Sequence, residues 1–145
     1  MDAPAEGVFD VLADHARYDR FRPISASELV REGDADRNGV GAVRRLRSGI
    51  LRFDEEVTAY ERPYRLDHLI IDVNVPIEHD GASIRFEPTA FGTRVEWAST
   101  SQISVPLLGK PLGAAFEIGL KRAFKRMLED AARLASRSSR DASRE

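Results

Sequence analysis

The spacing of apolar residues changes twice along the chain. Near the start, apolar side chains follow a helical period at Ala5, Val8, Phe9 and Leu12, which predicts an amphipathic helix. Pro4 suits the first turn of this helix, because its missing N–H is not needed there. A second short helical piece follows, and Pro23 ends it. From about residue 25 the period falls to two, which is typical of strands with one buried face.

Six segments carry the two-residue period, and turn residues such as Gly, Pro, Asp and Asn separate them. These segments are residues 25–32, 40–47, 50–60, 65–75, 81–87 and 93–103. Parallel neighbours would need long crossover connections, whereas most of the links here are short. The pattern therefore predicts an antiparallel meander in which consecutive strands are neighbours.

A long helix is predicted at the end of the chain, from about residue 108 to residue 135. Its apolar residues form one wide face, and they are Leu112, Phe116, Leu120, Ala123, Phe124, Met127, Leu128, Ala131 and Leu134. Its other face carries opposite charges four residues apart at Glu117/Lys121, Lys125/Glu129 and Arg126/Asp130. Because a sheet face needs a covering layer, we expect this helix to lie on the sheet. Residues 136–145 are almost free of apolar side chains, so we expect one domain, 1–135, and a disordered tail.

Composition narrows the class of protein. The chain has 145 residues, of which 42% are hydrophobic and 32% charged, and this suits one globular domain. A formal net charge of -2 argues against electrostatic binding of the whole chain to nucleic acid or to an anionic membrane, so we expect no nucleic-acid partner. The absence of cysteine excludes disulfides, thiolate metal sites and cysteine nucleophiles. No apolar run has the length of a membrane span and no secretion signal is present, so we expect a cytoplasmic protein without stable membrane insertion.

The faces of the second and third strands follow from the turn between them. A two-residue turn at Ser48-Gly49 would place Arg44 opposite Phe53 and diagonal to Glu55 on an otherwise apolar face. Two buried charges are costly unless they are paired. Arg44 and Glu55 would then be either an internal salt bridge that fixes the register or a polar anchor inside a ligand cavity. The residues alone leave both interpretations open.

The fourth segment, 65–75, is ambiguous. An unbroken register puts one set of alternate residues inside, namely Leu66, His68, Ile70 and Asp72. It leaves the apolar residues between and after them outside, namely Leu69, Ile71, Val73 and Val75. An apolar outer strip would indicate an oligomer contact, whereas a bulge that exchanges the faces midway is the alternative. His68 would join Arg44 and Glu55 in the cavity, although a lone inward histidine is more often held by a neighbour.

The last two strands form a hairpin. A four-residue loop would pair Ile84 with Val95 and Ala82 with Trp97, and would turn Ile84, Phe86, Val95 and Trp97 inward. Trp97 is the only tryptophan of the chain. We expect it either to pack in the core or to form a wall of a pocket.

No catalytic or metal-binding motif is complete. The stretch "DADRNG" (34–39) matches the first half of a calcium loop, but Arg45 stands where the bidentate glutamate is needed. The three histidines lack zinc spacing, and the glycines do not form a phosphate-binding loop. We therefore expect no metal and no cofactor, and the residues leave open whether the protein is an enzyme.

The order of the elements resembles the SRPBCC superfamily, also called the START or helix-grip fold, and in particular its bacterial polyketide cyclase/dehydrase-like branch. The stretches that carry the resemblance are "DAPAEGVFDVLADHARYDRF", "GVGAVRRL", "EEVTAYERPYRLDH", "FEPTAFGTRVEW" and "VPLLG". The resemblance implies an α+β fold in which a curved antiparallel sheet wraps around the long C-terminal helix. In that family a further strand comes before the Ala-Pro-Ala-Glu turn and pairs with the equivalent of 93–103. Met1 falls where that strand should end, so we expect six strands in residues 1–145. Either the first strand precedes this sequence or the protein lacks it, and in the second case the edge of 93–103 would be open.

The resemblance also implies a hydrophobic cavity between sheet and helix that binds lipid-like or polyketide-like molecules. The residues expected to line it are Arg44, Leu51, Phe53, Glu55, His68, Ile70, Phe86, Trp97, Phe116, Leu120 and Phe124. The first alternative is a polyketide cyclase/dehydratase-type enzyme, in which Glu55 or His68 would move a proton and Arg44 would stabilise an enolate-like oxygen. The second is a protein-interaction module, with a homodimer formed through the edge of 93–103 or the outer face of 65–75.

Overall fold

The computed structural model describes residues 1–103 and 109–142, and it has the predicted elements in the predicted order. Helix α1, Ala5–Ala13, and a short 3-10 helix, His15–Arg20, come first. The strands are β1 Ala26–Arg31, β2 Val43–Ser48, β3 Leu51–Glu61, β4 Arg65–Val73, β5 Ile77–Thr89 and β6 Gly92–Ile103. Helix α2, Gly109–Ala142, follows them. The predicted α+β helix-grip fold is therefore confirmed.

The strands form one antiparallel sheet in the order β1-β2-β3-β4-β5-β6. The predicted meander is thus confirmed. The tightest part of the core lies where α1 and the C-terminal half of α2 meet the inner face of the sheet. Residues from all three layers are fully buried there, among them Phe9, Leu12, Leu66, Ile84 and Ala131. This packing leaves the N-terminal half of α2 over the other part of the sheet.

The turn between β2 and β3 lies one residue later than predicted. Ser48 pairs with Leu51, so the turn consists of Gly49 and Ile50, and Arg44 lies directly opposite Glu55. Gly49 has a φ of +58°, which suits a two-residue turn whose first central residue needs a positive φ. The prediction that Phe53 lies opposite Arg44 is wrong, but the faces are unchanged because the pairing moved by two residues.

The β5–β6 hairpin shows a shift of the same size. Thr89 pairs with Gly92, so its loop has two residues rather than four. Ile84 therefore lies opposite Trp97, and Ala82 lies opposite Ser99. The inward orientation predicted for this hairpin is retained, because a shift of two residues preserves the faces.

Strand β4 contains the bulge that was the alternative to an unbroken register. Ile71 has no partner between the pairs Ile70–Glu55 and Asp72–Asp54. Beyond it Val73 lines the space under the sheet, whereas Asp72 is exposed and forms an ion pair with Arg52 at 3.3 Å. The predictions that Asp72 faces inward and Val73 outward are wrong, since the extra residue exchanges the faces.

Helix α2 is anchored through Asp130. Arg22 donates to this carboxylate from its backbone N–H at 3.0 Å and from its Nε at 3.0 Å, and Arg133 also pairs with it. Arg22 pairs with Glu129 as well, at 3.0 Å. The predicted pairs Lys125/Glu129 and Arg126/Asp130 are therefore wrong, because both acids are engaged by a residue outside the helix.

The helix continues beyond its predicted end at residue 135. Residues 136–142, which we expected to belong to a disordered tail, are helical in the structure. Ser136 and Ser139 donate their hydroxyls to the carbonyls four residues earlier, at 2.8 and 3.0 Å. This back-bonding satisfies the serine hydroxyls within the helix itself.

The N-terminus meets the start of β6. Met1 and Thr93 exchange two backbone hydrogen bonds, each of 2.8 Å. Gly92 has a φ of +140°, and a Cβ there would lie 1.9 Å from the carbonyl oxygen of Met1, so only glycine permits this approach. Within the described residues, β6 beyond Thr93 pairs only with β5. Among the described residues, 94–103 therefore have no second neighbouring strand.

Candidate ligand cavity

A cavity of about 90 Å³ lies between the inner face of the sheet and the N-terminal half of α2. Its walls come from β3, β4, β5, β6 and α2, and they are Leu51, Phe53, Glu55, His68, Ile70, Val73, Ile77, Ala82, Trp97, Ser99, Phe116, Leu120 and Phe124. Every residue predicted to line the cavity is on this wall except Arg44 and Phe86. The prediction lacked four residues of the wall, namely Val73, Ile77, Ala82 and Ser99. Val73 depends on the bulge in β4, which the sequence offered only as an alternative, and Ile77 depends on the early start of β5.

Phe86 and Arg44 lie elsewhere in the inner layer. Phe86 is buried in the core, where its ring meets that of Phe9 with the centroids 5.2 Å apart. Arg44 is 2% exposed and lies behind Glu55, as seen from the cavity. Its guanidinium therefore contacts the carboxylate rather than the cavity.

Glu55 and His68 provide the polar part of the wall, together with Ser99. The Nε of Arg44 donates to Oε2 of Glu55 at 2.6 Å, and Nη2 of Arg44 pairs with the same oxygen. The Nε2 of His68 lies 3.8 Å from this oxygen. The sequence offered an internal salt bridge and a polar group in the cavity as alternatives. Glu55 does both, since its carboxylate pairs with Arg44 and also lines the cavity.

His15 and Tyr18 complete the surroundings of Arg44. The guanidinium lies over the Tyr18 ring, 4.1 Å from its centroid. The Nε2 of His15 lies 3.0 Å from the carbonyl oxygen of Asn38, and its Nδ1 lies 3.2 Å from Nη1 of Arg44. A carbonyl only accepts and a guanidinium only donates, so His15 carries its proton on Nε2 and is neutral. Sequence reasoning missed this role of His15, since it depends on a contact with a strand far along the chain.

The pKa values of this cluster follow from burial and from the charge of Arg44. Burial lowers the pKa of His15 to about 3, and the charge of Arg44 adds to the effect. Burial raises the pKa of Tyr18, whose hydroxyl donates to the carbonyl of Leu12 at 2.5 Å. Burial alone would lower the pKa of Arg44, but Glu55 and Tyr18 outweigh it and the pKa is raised. Arg44 therefore stays charged and holds Glu55 in place.

Trp97 and Phe124 form a stacked pair, with centroids 4.3 Å apart and planes 12° from parallel. Both residues line the cavity on one side. On the other side they border a groove of about 470 Å³ between β6 and α2, which we call the outer groove; its other residues are Met1, Lys121, Lys125, Leu128, Glu129 and Ala132. The indole N–H of Trp97 is buried, and no described residue accepts a hydrogen bond from it.

The N-terminal half of α2 covers the cavity loosely. Among the described residues of this helix, none before Met127 is buried, and Phe116 and Leu120 are only half-buried. A Cβ at Gly113 or Gly119 would have no neighbour within 4 Å, so packing does not require glycine at either position. Each glycine weakens a helix by roughly 0.5–1 kcal/mol relative to alanine. This half of the helix is therefore held by few contacts.

The family model described as "Polyketide cyclase / dehydrase and lipid transport" matches residues 1–136. The chain belongs to this family. The resemblance to the polyketide cyclase-like branch of the SRPBCC superfamily is thereby confirmed. No curated protein matches the chain. None of the helices within residues 1–103 and 109–142 is long and apolar enough to span a membrane.

Solved structures share the fold of this family member. The protein TTHA0849 from Thermus thermophilus aligns with a TM-score of 0.79 and 18% identity over 96% of this chain and 94% of that one. The Zhui aromatase/cyclase from Streptomyces sp. R1128 aligns with a TM-score of 0.75 and 19% identity, over 97% and 92% of the two chains. A START superfamily protein from Mycobacterium smegmatis aligns with a TM-score of 0.68 and 14% identity, over 92% of this chain and 93% of that one. At these identities the likeness shows the fold alone.

Proposed function

We propose that the protein binds a small hydrophobic or amphipathic molecule in the cavity under α2. The observation that carries this proposal is the composition of the wall, which is aliphatic and aromatic apart from Glu55, His68 and Ser99. Ligand sites are typically apolar with a few convergent polar groups that orient the ligand. The membership of the family supports the proposal, because its description includes lipid transport.

The cavity volume indicates how binding would occur. About 90 Å³ is far below the roughly 300–1,000 Å³ of most small-molecule sites. A ligand would therefore enlarge the cavity by displacing the N-terminal half of α2, whose described side chains are not buried before Met127.

The test is native mass spectrometry of the purified protein, combined with a variant that fills the cavity. Ala82 lies on the cavity wall, so Ala82→Phe would occupy the space. Ala98 lies on the outer face of β6 and is exposed, so Ala98→Phe makes the same chemical change away from the cavity. We expect a co-purified molecule on the wild type and on Ala98→Phe, and none on Ala82→Phe. A molecule that remains on Ala82→Phe, or a wild type that carries none and takes up no medium-chain fatty acid, would refute the proposal.

A second candidate is a cyclase or dehydratase acting on a polyketide-like substrate. The observation in its favour is that Glu55 and His68 share the cavity wall, with Oε2 and Nε2 3.8 Å apart. Such a pair could remove a proton from a methylene between two carbonyls and return it to a leaving hydroxyl. Arg44 would position Glu55 rather than meet an enolate-like oxygen, because it lies behind the carboxylate.

Turnover of a poly-β-ketone thioester tests this second candidate. Glu55→Gln and His68→Ala should each abolish product formation, while Ser99→Ala should retain it. If neither substitution changes the turnover, or if the wild type makes no product, the catalytic role is wrong. Ligand binding without catalysis is then the remaining candidate function.

A further inference from the structure

The outward face of α2 in its first turns is unusual for a surface helix. Between residues 112 and 120 the only charged residue is Glu117. Phe116 and Leu120 face the cavity, yet Ala114 and Ala115 are exposed and Ile118 is 53% exposed. This segment is therefore apolar on both faces, and a helix that is apolar all round normally has something covering it.

A cluster of positive charge follows directly along the helix. Arg122, Lys125 and Arg126 are exposed, and none of them lies within salt-bridge distance of a carboxylate of residues 1–103 or 109–142. Residues 122 and 126 are four apart and 122 and 125 are three apart, so the charges share one face and repel each other. Ile118 precedes Arg122 by four residues and lies on that face too.

The acids that would neutralise this cluster are engaged elsewhere. Glu129 and Asp130 pair with Arg22, and Asp130 also pairs with Arg133. Glu117 pairs with Lys121 at 2.6 Å. The region therefore keeps an excess of positive charge, although the whole chain has a formal net charge of -2.

We propose that the N-terminal half of α2 docks on an anionic lipid surface. Its apolar turns around Ile118 would enter the interface, and Arg122, Lys125 and Arg126 would lie at the level of the lipid phosphates. Helices that combine exposed apolar residues with Lys and Arg bind membrane interfaces in this way, and each basic residue adds to the attraction of an anionic leaflet. The proposal does not depend on what the cavity binds.

The apolar residues favour a lipid surface over a nucleic acid. Contacts with nucleic acid come mainly from charged and polar groups on phosphates and bases, with aromatic rings stacked on single strands. The exposed residues that precede the basic cluster on its helix are largely aliphatic instead, namely Ala114, Ala115 and Ile118.

Co-sedimentation with vesicles tests the proposal without any cavity ligand. We expect the wild type to bind vesicles of equal parts phosphatidylcholine and phosphatidylglycerol, and to ignore vesicles of phosphatidylcholine alone. Arg122→Gln/Lys125→Gln/Arg126→Gln should weaken the partitioning by about tenfold or more, and high salt should do the same to the wild type. Glutamine retains helix propensity, and circular dichroism confirms that the variant is folded.

A matched variant removes the same charge from other faces. Arg47, Arg85 and Arg137 are exposed on β2, β5 and the C-terminal part of α2, and Arg47→Gln/Arg85→Gln/Arg137→Gln should retain binding. Ile118→Asn should weaken it with no change of charge. The proposal fails if the wild type does not bind anionic vesicles, if both triple variants lose binding equally, or if the protein binds a single-stranded oligonucleotide in place of the vesicles.

Discussion

Trp97 stacks flat on Phe124 and thereby joins the sheet to α2 at the point where the cavity and the outer groove come closest. The pair belongs to both spaces, one ring supplied by β6 and the other by the helix. Displacement of the helix from the sheet would therefore separate the two rings. Since Trp97 is the only tryptophan, the tryptophan fluorescence of the protein reports the surroundings of this one ring.

Phe124→Ala should join the cavity to the outer groove. We expect acrylamide to quench the fluorescence of Trp97 more strongly in this variant, because the ring that shields the indole is gone. Phe91→Ala removes the same side chain from a position that is 89% exposed at the β5–β6 turn, and should leave quenching unchanged. Equal quenching in wild type and Phe124→Ala would mean that Phe124 does not close the wall.

The pair of Arg44 and Glu55 should show strong coupling in a double-mutant cycle. Arg44→Met leaves a carboxylate in a buried position, and Glu55→Leu leaves a guanidinium there, so each should lower the free energy of unfolding by about 3–5 kcal/mol. The double variant removes both charges and should lie much closer to the wild type in urea unfolding. Additive losses in the double variant would contradict the pairing.

His15 should make the protein less stable as the pH falls below neutrality. Its pKa is about 3 in the folded chain against an ordinary value of 6.5. Between these values the unfolded chain binds more protons, so the free energy of unfolding falls as the pH drops, by up to about 1.4 kcal/mol per pH unit. Above the ordinary value the contribution is fully present.

Urea unfolding from about pH 7 down to about pH 5 measures this dependence. His15→Gln offers an amide that can accept from Arg44 and donate to the carbonyl of Asn38, but it does not titrate. Its stability should therefore vary less with pH than that of the wild type. Parallel curves for the two proteins would show that His15 is not buried in its neutral form.

The open edge of β6 predicts self-association. Residues 94–103 pair only with β5 among the described strands, and an unpaired edge is a template for a second strand. We expect light scattering to show a mass that rises with protein concentration. Ala98→Lys should abolish this rise, because two copies paired antiparallel about the middle of the edge would bring like charges together.

Ile71→Lys tests the second surface proposed for a homodimer, which is the outer face of β4. Ile71 is 50% exposed at the bulge on the outer face of β4. If this variant alone remains monomeric, the contact is through the outer face and not through the edge. A wild type that is monomeric at every concentration would rule out both contacts.

The sequence pattern was sufficient for the element order and for the faces of the hairpins. Both hairpin turns were misplaced, yet Arg44, Glu55 and Trp97 were assigned to the correct layer, since the errors were of two residues. Most side chains that the strands contribute to the cavity wall were predicted for the same reason. A two-residue period records the face of a residue but not its exact partner.

The features that the sequence left open or missed depend on contacts between distant segments. The bulge at Ile71 was only one of two alternatives, because the apolar run of residues 69–71 fits either face of the strand. Arg22 forms ion pairs with Glu129 and Asp130 of α2, which lie more than a hundred residues further along the chain. Pairing rules for residues four apart in one helix do not predict such contacts. The small volume of the cavity likewise depends on how closely α2 approaches the sheet.

The bridge between Met1 and Thr93 has a practical consequence for how the protein is prepared. Two residues that exchange both backbone hydrogen bonds run antiparallel. Residues fused ahead of Met1, such as an affinity tag, would therefore continue beside Arg94 and the residues after it. A tag in that position would cover the β6 edge and the outer groove next to Trp97. The tag should be cleaved before the light-scattering, quenching and vesicle measurements, because otherwise it would change the surfaces that these measurements test.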